Sequence, residues 1–135
     1  MDSMEKLELL TLRLPDGIPV DRVAPGVLEM KAKKGFGFLF HLLHEDNIAV
    51  ARGVFSKESE YEMHIHQEKE WILIYEGEMK VTLSPINEKN EETHILKEGD
   101  MLFIEPERTH YSSALENCEF IAITMPASKG FPDGL

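Results

Sequence analysis

The chain has 135 residues, 42% hydrophobic and 29% charged, with a formal net charge of −11 at neutral pH. A chain of this length buries about two-thirds of its unfolded surface without disulfide staples, so a single domain spanning residues 1–135 is expected. The excess of acid argues against neutralising a phosphate backbone, and no apolar run reaches the roughly 20 residues of a spanning helix, so neither nucleic acid nor a membrane is an expected partner.

Residues 1–14 are charged and interrupted, unlike a secretory signal. Cys118 is the only cysteine and cannot form an internal disulfide, which suits a reducing compartment; the expected location is the cytoplasm. The thiol reads as a small packed hydrophobe beside Phe120.

Apolar runs of strand length recur along the chain: Leu7 to Leu14, Phe36 to Leu43, Ile48 to Phe55, Trp71 to Tyr75, Met79 to Leu83, Met101 to Ile104 and Phe120 to Met125. Turn chemistry separates them, at Pro15-Asp16-Gly17, Pro25-Gly26, Glu76-Gly77, Asn87 to Asn90, Gly99-Asp100 and Pro106. That spacing predicts an all-β antiparallel sandwich or barrel.

In the first half, Phe36 to Leu43 carries His41 and His44, which are three apart and therefore face opposite sides of a regular strand; they read as structural. Arg52 is the only charge in Ile48 to Phe55, and a cation on such a strand usually has a partner, either an ion pair or an anionic ligand.

The stretch Met63-His64-Ile65-His66-Gln67-Glu68-Lys69-Glu70-Trp71 carries the chemistry. Histidines two apart on a strand share a face, so their imidazoles can converge. Gln67 to Lys69 make a plausible hairpin loop, which would set Glu70 across from the pair on the returning strand. From Glu70 onward that strand is apolar on both faces. Burying a carboxylate on the side of Ile72 and Ile74 is costly unless it is paired or metal-bound. The other side, around Trp71 and Leu73, must be covered by another sheet, by the N-terminal strands or by a second subunit, which makes a homodimer an expectation.

From Met79 to Ser84 apolar and polar residues alternate, so one face is buried and the other wet. His94 has no partner at ligand spacing and reads as structural, and the acidic clusters Glu58 to Glu62 and Glu88 to Glu92 read as solvated faces. A second informative segment, Gly99 to His110, adds a turn, a strand and a third candidate histidine after Pro106. Three imidazoles and one carboxylate, from His64, His66, Glu70 and His110, would suit a divalent first-row metal (Fe, Mn, Ni, Co, Cu or Zn), and an ion that prefers five or six ligands would keep a position open.

These segments resemble the cupin superfamily. The first motif of that family ends in His-x-His, three or four residues, Glu, six residues, Gly, and His64, His66, Glu70 and Gly77 match it. The second starts with Gly-Asp and has a histidine eleven residues after the glycine, as Gly99, Asp100 and His110 do. Chance would place the four first-motif positions in roughly two or three such sequences per thousand.

The resemblance implies a double-stranded β-helix (jelly-roll) barrel with core strands at about 36–126. The strands within 6–32 would complete the barrel or a dimer interface, and His64, His66, Glu70 and His110 would be the metal ligands. It also implies a metal-dependent enzyme, a dioxygenase, isomerase or relative, acting on a small oxygen-bearing molecule; a non-catalytic binding or sensing module is the alternative. The sequence departs from the family at Glu58, Glu105, Glu107 and Ala114, where glycine, proline, glycine and asparagine are usual.

Overall fold

The structure is a computed structural model that describes residues 10–13, 19–24, 26–30, 32–61 and 67–127, with side chains from residue 26 onward. All the regular elements described are strands: β1 (Leu10–Arg13), β2 (Pro19–Ala24), β3 (Val27–Met30), β4 (Gly37–Glu45), β5 (Ile48–Phe55), β6 (Lys69–Glu76), β7 (Glu78–Leu83), β8 (Glu92–Lys97), β9 (Met101–Ile104), β10 (His110–Ala114) and β11 (Cys118–Met125).

They form two antiparallel sheets, one in the order β1-β2-β3-β4-β5-β11-β6-β9 and one in the order β10-β7-β8. Residues 58–61 prolong the smaller sheet along β10: Glu58 N donates to Ala114 O, Ala114 N to Ser59 O and Tyr61 N to Ser112 O. This is a jelly-roll barrel, with the core between the two sheets.

Alternation along each strand sorts side chains into that core. Ile72 and Ile74 of β6, Leu102 and Ile104 of β9, Phe120 of β11, Met79, Val81 and Leu83 of β7, and Leu28 of β3 are all buried. Each such side chain contributes about 1.5–3 kcal/mol.

Two glycines are required by close approach. Phe120 lies so tightly over Gly53 that an added Cβ would sit 2.0 Å from its ring, and at Gly77, where φ is +83°, a Cβ would meet the Asn117 carbonyl oxygen at 2.1 Å.

The runs at Ile48–Phe55 and Met101–Ile104 coincide with β5 and β9, whereas β8 and β10 had no apolar run to announce them. Strand β8 buries only Leu96, and β10 fills its inward positions with His110, Ser112 and Ala114. Strands β1 to β3 continue the large sheet beside β4, on the opposite side of β5 and β11 from β6. The outer side of β6 and β9 is apolar, with Trp71 against Phe103 at 5.1 Å between ring centres and with Tyr75, Met101 and Phe103 exposed.

Candidate metal centre

Glu70 enters the barrel on the same side of β6 as Ile72 and Ile74. It lies between Thr124 of β11 and Ile104 of β9. His110 opens β10 opposite Leu83 of β7. The two side chains thus come from different sheets and meet across the interior, with Glu70 Oε1 3.6 Å from His110 Nε2. The His110 side chain is only 2% exposed and that of Glu70 13%. Burying two such groups is costly unless their polar atoms are satisfied.

The orientation of the imidazole follows from its second nitrogen. His110 Nδ1 lies 3.5 Å from the Arg108 carbonyl oxygen, and a carbonyl only accepts, so a hydrogen bond there needs the hydrogen on Nδ1. In that neutral tautomer the lone pair of Nε2 would face the Glu70 carboxylate oxygen at 3.6 Å. That span fits a shared cation, since first-row metals hold imidazole nitrogen and carboxylate oxygen at about 2.0–2.2 Å each. The outer hydrogen bond from Nδ1 to a carbonyl is the usual companion of a ligating histidine.

His64 and His66, the other two expected ligands, lie outside the described residues. The chain enters that stretch from Tyr61, bonded to Ser112 on the strand of His110, and leaves it into β6, the strand of Glu70. Among the described residues no group of three or more His, Cys, Asp or Glu converges.

The expected hairpin, with the histidine pair directly opposite Glu70 on a neighbouring strand, involves residues 64 and 66 and lies outside the described residues. At Glu70 both hydrogen-bonding edges of β6 are taken, by β11 and β9, while residues 58–61 pair with β10 in the other sheet.

The two glycine departures keep the backbone that glycine favours. Glu58 has φ +69° and Glu107 φ +65°, both in the left-handed region that costs a non-glycine residue about 1 kcal/mol. Glu58 is also paired with Lys34 at 3.1 Å, which lowers its carboxyl pKa. Glu105, at the proline position, takes up Lys89 at 2.8 Å and Arg108 at 3.0 Å.

Arg108 is the residue that sequence reasoning missed. It is almost fully buried and satisfied on every side: Nε donates to the Ser84 carbonyl at 2.9 Å, Nη1 to Glu92 at 2.6 Å and to Glu105 at 3.0 Å, and Nη2 to the Asn90 carbonyl at 2.7 Å. Its guanidinium holds the Glu92 carboxyl below the ordinary range, and Lys89 first and then Arg108 do the same for Glu105. His94 joins this group through Glu92 at 3.2 Å. The signal in the sequence was faint, because an arginine among Glu105, Pro106 and Glu107 resembles a solvated turn.

His41 and His44 also differ from expectation. A β-bulge between His41 and Leu43 breaks the alternation, so both histidines pair with inward-facing residues, Ala51 and Ala49. Their ring centres are 6.3 Å apart at an exposed end of the inner face. Arg52 has its partners on the outer face: Glu119 at 2.6 Å, the Tyr75 hydroxyl at 2.8 Å and the Phe40 ring at 5.2 Å. Cys118 is buried, which pushes its thiol pKa up to about 12 and keeps it protonated.

The family model for the cupin domain matches residues 53–124, the stretch that contains both motifs. The chain belongs to the cupin family. Its fold is shared with an oxalate decarboxylase from Bacillus subtilis at 24% identity and a TM-score of 0.62, over 70% of this chain and 26% of that one. The chain therefore spans about a quarter of that protein's length. It is similar to an RmlC-like cupin from Shewanella frigidimarina at 17% identity and a TM-score of 0.61, covering 93% of this chain and 99% of that one. It is also similar to KdgF from a Halomonas species, at 19% identity and a TM-score of 0.59, covering 82% and 87%. None of the curated protein sequences matches the chain.

Proposed function

We propose that this cupin binds one divalent transition metal through His64, His66, Glu70 and His110 and is a metal-dependent enzyme acting on a small, oxygen-bearing organic molecule. The observation that carries this reading is the meeting of Glu70 and His110, from opposite sheets, at 3.6 Å in the buried interior. The resemblance of the motifs supplies His64 and His66. Manganese(II) centres in the Bacillus subtilis oxalate decarboxylase support a metal on this fold. A bound metal would act as a Lewis acid toward a carbonyl, carboxylate or enolate oxygen, or would bind dioxygen. The chain's own contribution is to hold the imidazole by its Nδ1 hydrogen, to supply one negative charge from Glu70, and to keep water away with Ile72, Leu83 and Ile104.

Metal analysis of the purified protein tests the first link. We expect roughly one ion per chain in the wild type and loss of most of it in His64→Ala and His110→Ala. Unchanged metal in both variants would sink the site. Oxygen uptake by the iron-loaded protein on catechols, thiols, diketones and hydroxy acids tests the second link. Tight binding of one compound without turnover would identify a binding module instead.

We further propose a homodimer in the cytoplasm. The location rests on the lone buried thiol, and the dimer on the apolar outer face of β6 and β9. A patch on one chain that pairs with its own copy makes an isologous interface, which suits a face with few charges on an otherwise acidic chain. The mass in solution should be twice that of the chain and should fall to the monomer in Leu73→Glu; a wild type that is monomeric at high concentration would remove the dimer.

A further inference from the structure

The group around Arg108 lies beside the proposed centre, and its connections explain more than loop stability. The guanidinium reaches three places that are separate in sequence: Ser84 just after β7, Asn90 and Glu92 at the entry to β8, and the β9–β10 connection at Glu105. Two further bonds tighten the block, Ser84 N to the Thr109 carbonyl at 2.8 Å and Arg108 N to the Glu105 carbonyl at 3.3 Å. The β9–β10 connection passes through the left-handed Glu107, where the family's rigid proline and flexible glycine are both replaced by glutamate. Pro106 stands between the two glutamates, and the residue that follows them is Arg108, whose carbonyl oxygen lies 3.5 Å from His110 Nδ1.

We propose that Arg108 is the positioning residue of the metal centre: its side chain locks the two connections into one block, and its carbonyl thereby holds the His110 ring with Nε2 turned to Glu70. The proposal rests on His110 being a ligand only for its effect on metal binding; the effect on the ring itself stands apart from any metal. A guanidinium suits the task because its planar fork satisfies two carboxylates and two carbonyls at fixed angles, which a lysine ammonium does not.

The test uses nitrogen-labelled, metal-free protein and a long-range proton–nitrogen correlation spectrum recorded above the imidazole titration range. The wild type should show His110 with hydrogen on Nδ1 alone. Arg108→Met should show a mixture of the two tautomers, and Co(II) titrated into the same sample should bind about ten- to a hundredfold more weakly, the cost usual for losing the outer partner of a ligating histidine. A folded Arg108→Met protein that keeps the single tautomer and binds Co(II) as the wild type does would overturn the proposal and leave Arg108 as a loop staple. If Arg108→Met does not fold, the double variant Glu92→Gln, Glu105→Gln decides by the same two readings, because it weakens the guanidinium's hold while leaving the arginine in place. His110→Ala separates this proposal from the one it builds on. Unchanged Co(II) binding there removes His110 as a ligand, and the tautomer reading still judges Arg108.

Discussion

Arg52 and Arg108 each collect a carboxylate and other oxygens around one guanidinium, yet they sit in different worlds. Arg52 lies on the outer face of the large sheet, with its side chain 40% exposed and that of Glu119 26% exposed. Arg108 is 2% exposed and bridges two loops against the end of the small sheet. Water reaches the first guanidinium and not the second, although Glu92 beside the second is 42% exposed. An exposed pair contributes little because solvent screens it and both side chains lose freedom to form it. A buried guanidinium that donates to two carbonyls and two carboxylates organises its surroundings, because its own donors are out of reach of water and depend on those four acceptors.

The largest expected effect separates the two directly. Arg108→Met should lower the free energy of unfolding by about 2 kcal/mol, and Arg52→Met by less than about 1 kcal/mol, both read from urea unfolding of the two variants. Equal losses would break the comparison.

A smaller effect lies in the acid response. Glu92 and Glu105 both have carboxyl pKa values below the ordinary 4.5, through Arg108 for Glu92 and through Lys89 and then Arg108 for Glu105. A carboxylate lowered on folding contributes stability above its unfolded pKa and loses it as pH falls through the folded value. On the outer face the shifts oppose each other. Glu119 is lowered, first by Arg52 and then by Tyr75, whereas Glu76 is raised by its bond to Glu119, so its protonation favours the folded state. Acid below the ordinary glutamate range should therefore destabilise the wild type chiefly through the Arg108 group. Arg108→Met should flatten that response and Arg52→Met should change it less; the reverse order in a pH series of thermal midpoints would show that the outer group matters more.

The same contrast explains what could be read from the sequence. Arg52 stood out because it interrupts an apolar strand, and an ion pair was one of the readings this raised. Arg108 was hidden because a turn rich in charge looks solvated, and nothing local reveals that Ser84, Asn90 and Glu92 fold back over it. The strands with apolar runs were legible, while β8 and β10 were not, one being an edge with a single buried side chain and the other burying small polar residues and a histidine. The register of His41 and His44 was lost to a bulge, which alternation alone cannot foresee. The spacing of Glu70 and His110 was legible as a ligand pattern, but their approach from opposite sheets follows from topology. Both edges of β6 beside Glu70 are occupied, and that is a long-range fact about β9 and β11.

The central claim is that the barrel interior holds a metal between the two sheets. Anomalous diffraction from a crystal of the metal-loaded protein, measured on either side of the metal's absorption edge, tests it most directly. The account predicts one peak about 2.0–2.3 Å from both His110 Nε2 and a Glu70 carboxylate oxygen, with the imidazoles of His64 and His66 completing the set. A loaded crystal with no peak at that position, or with its peak at the exposed His41 and His44 alone, would contradict it.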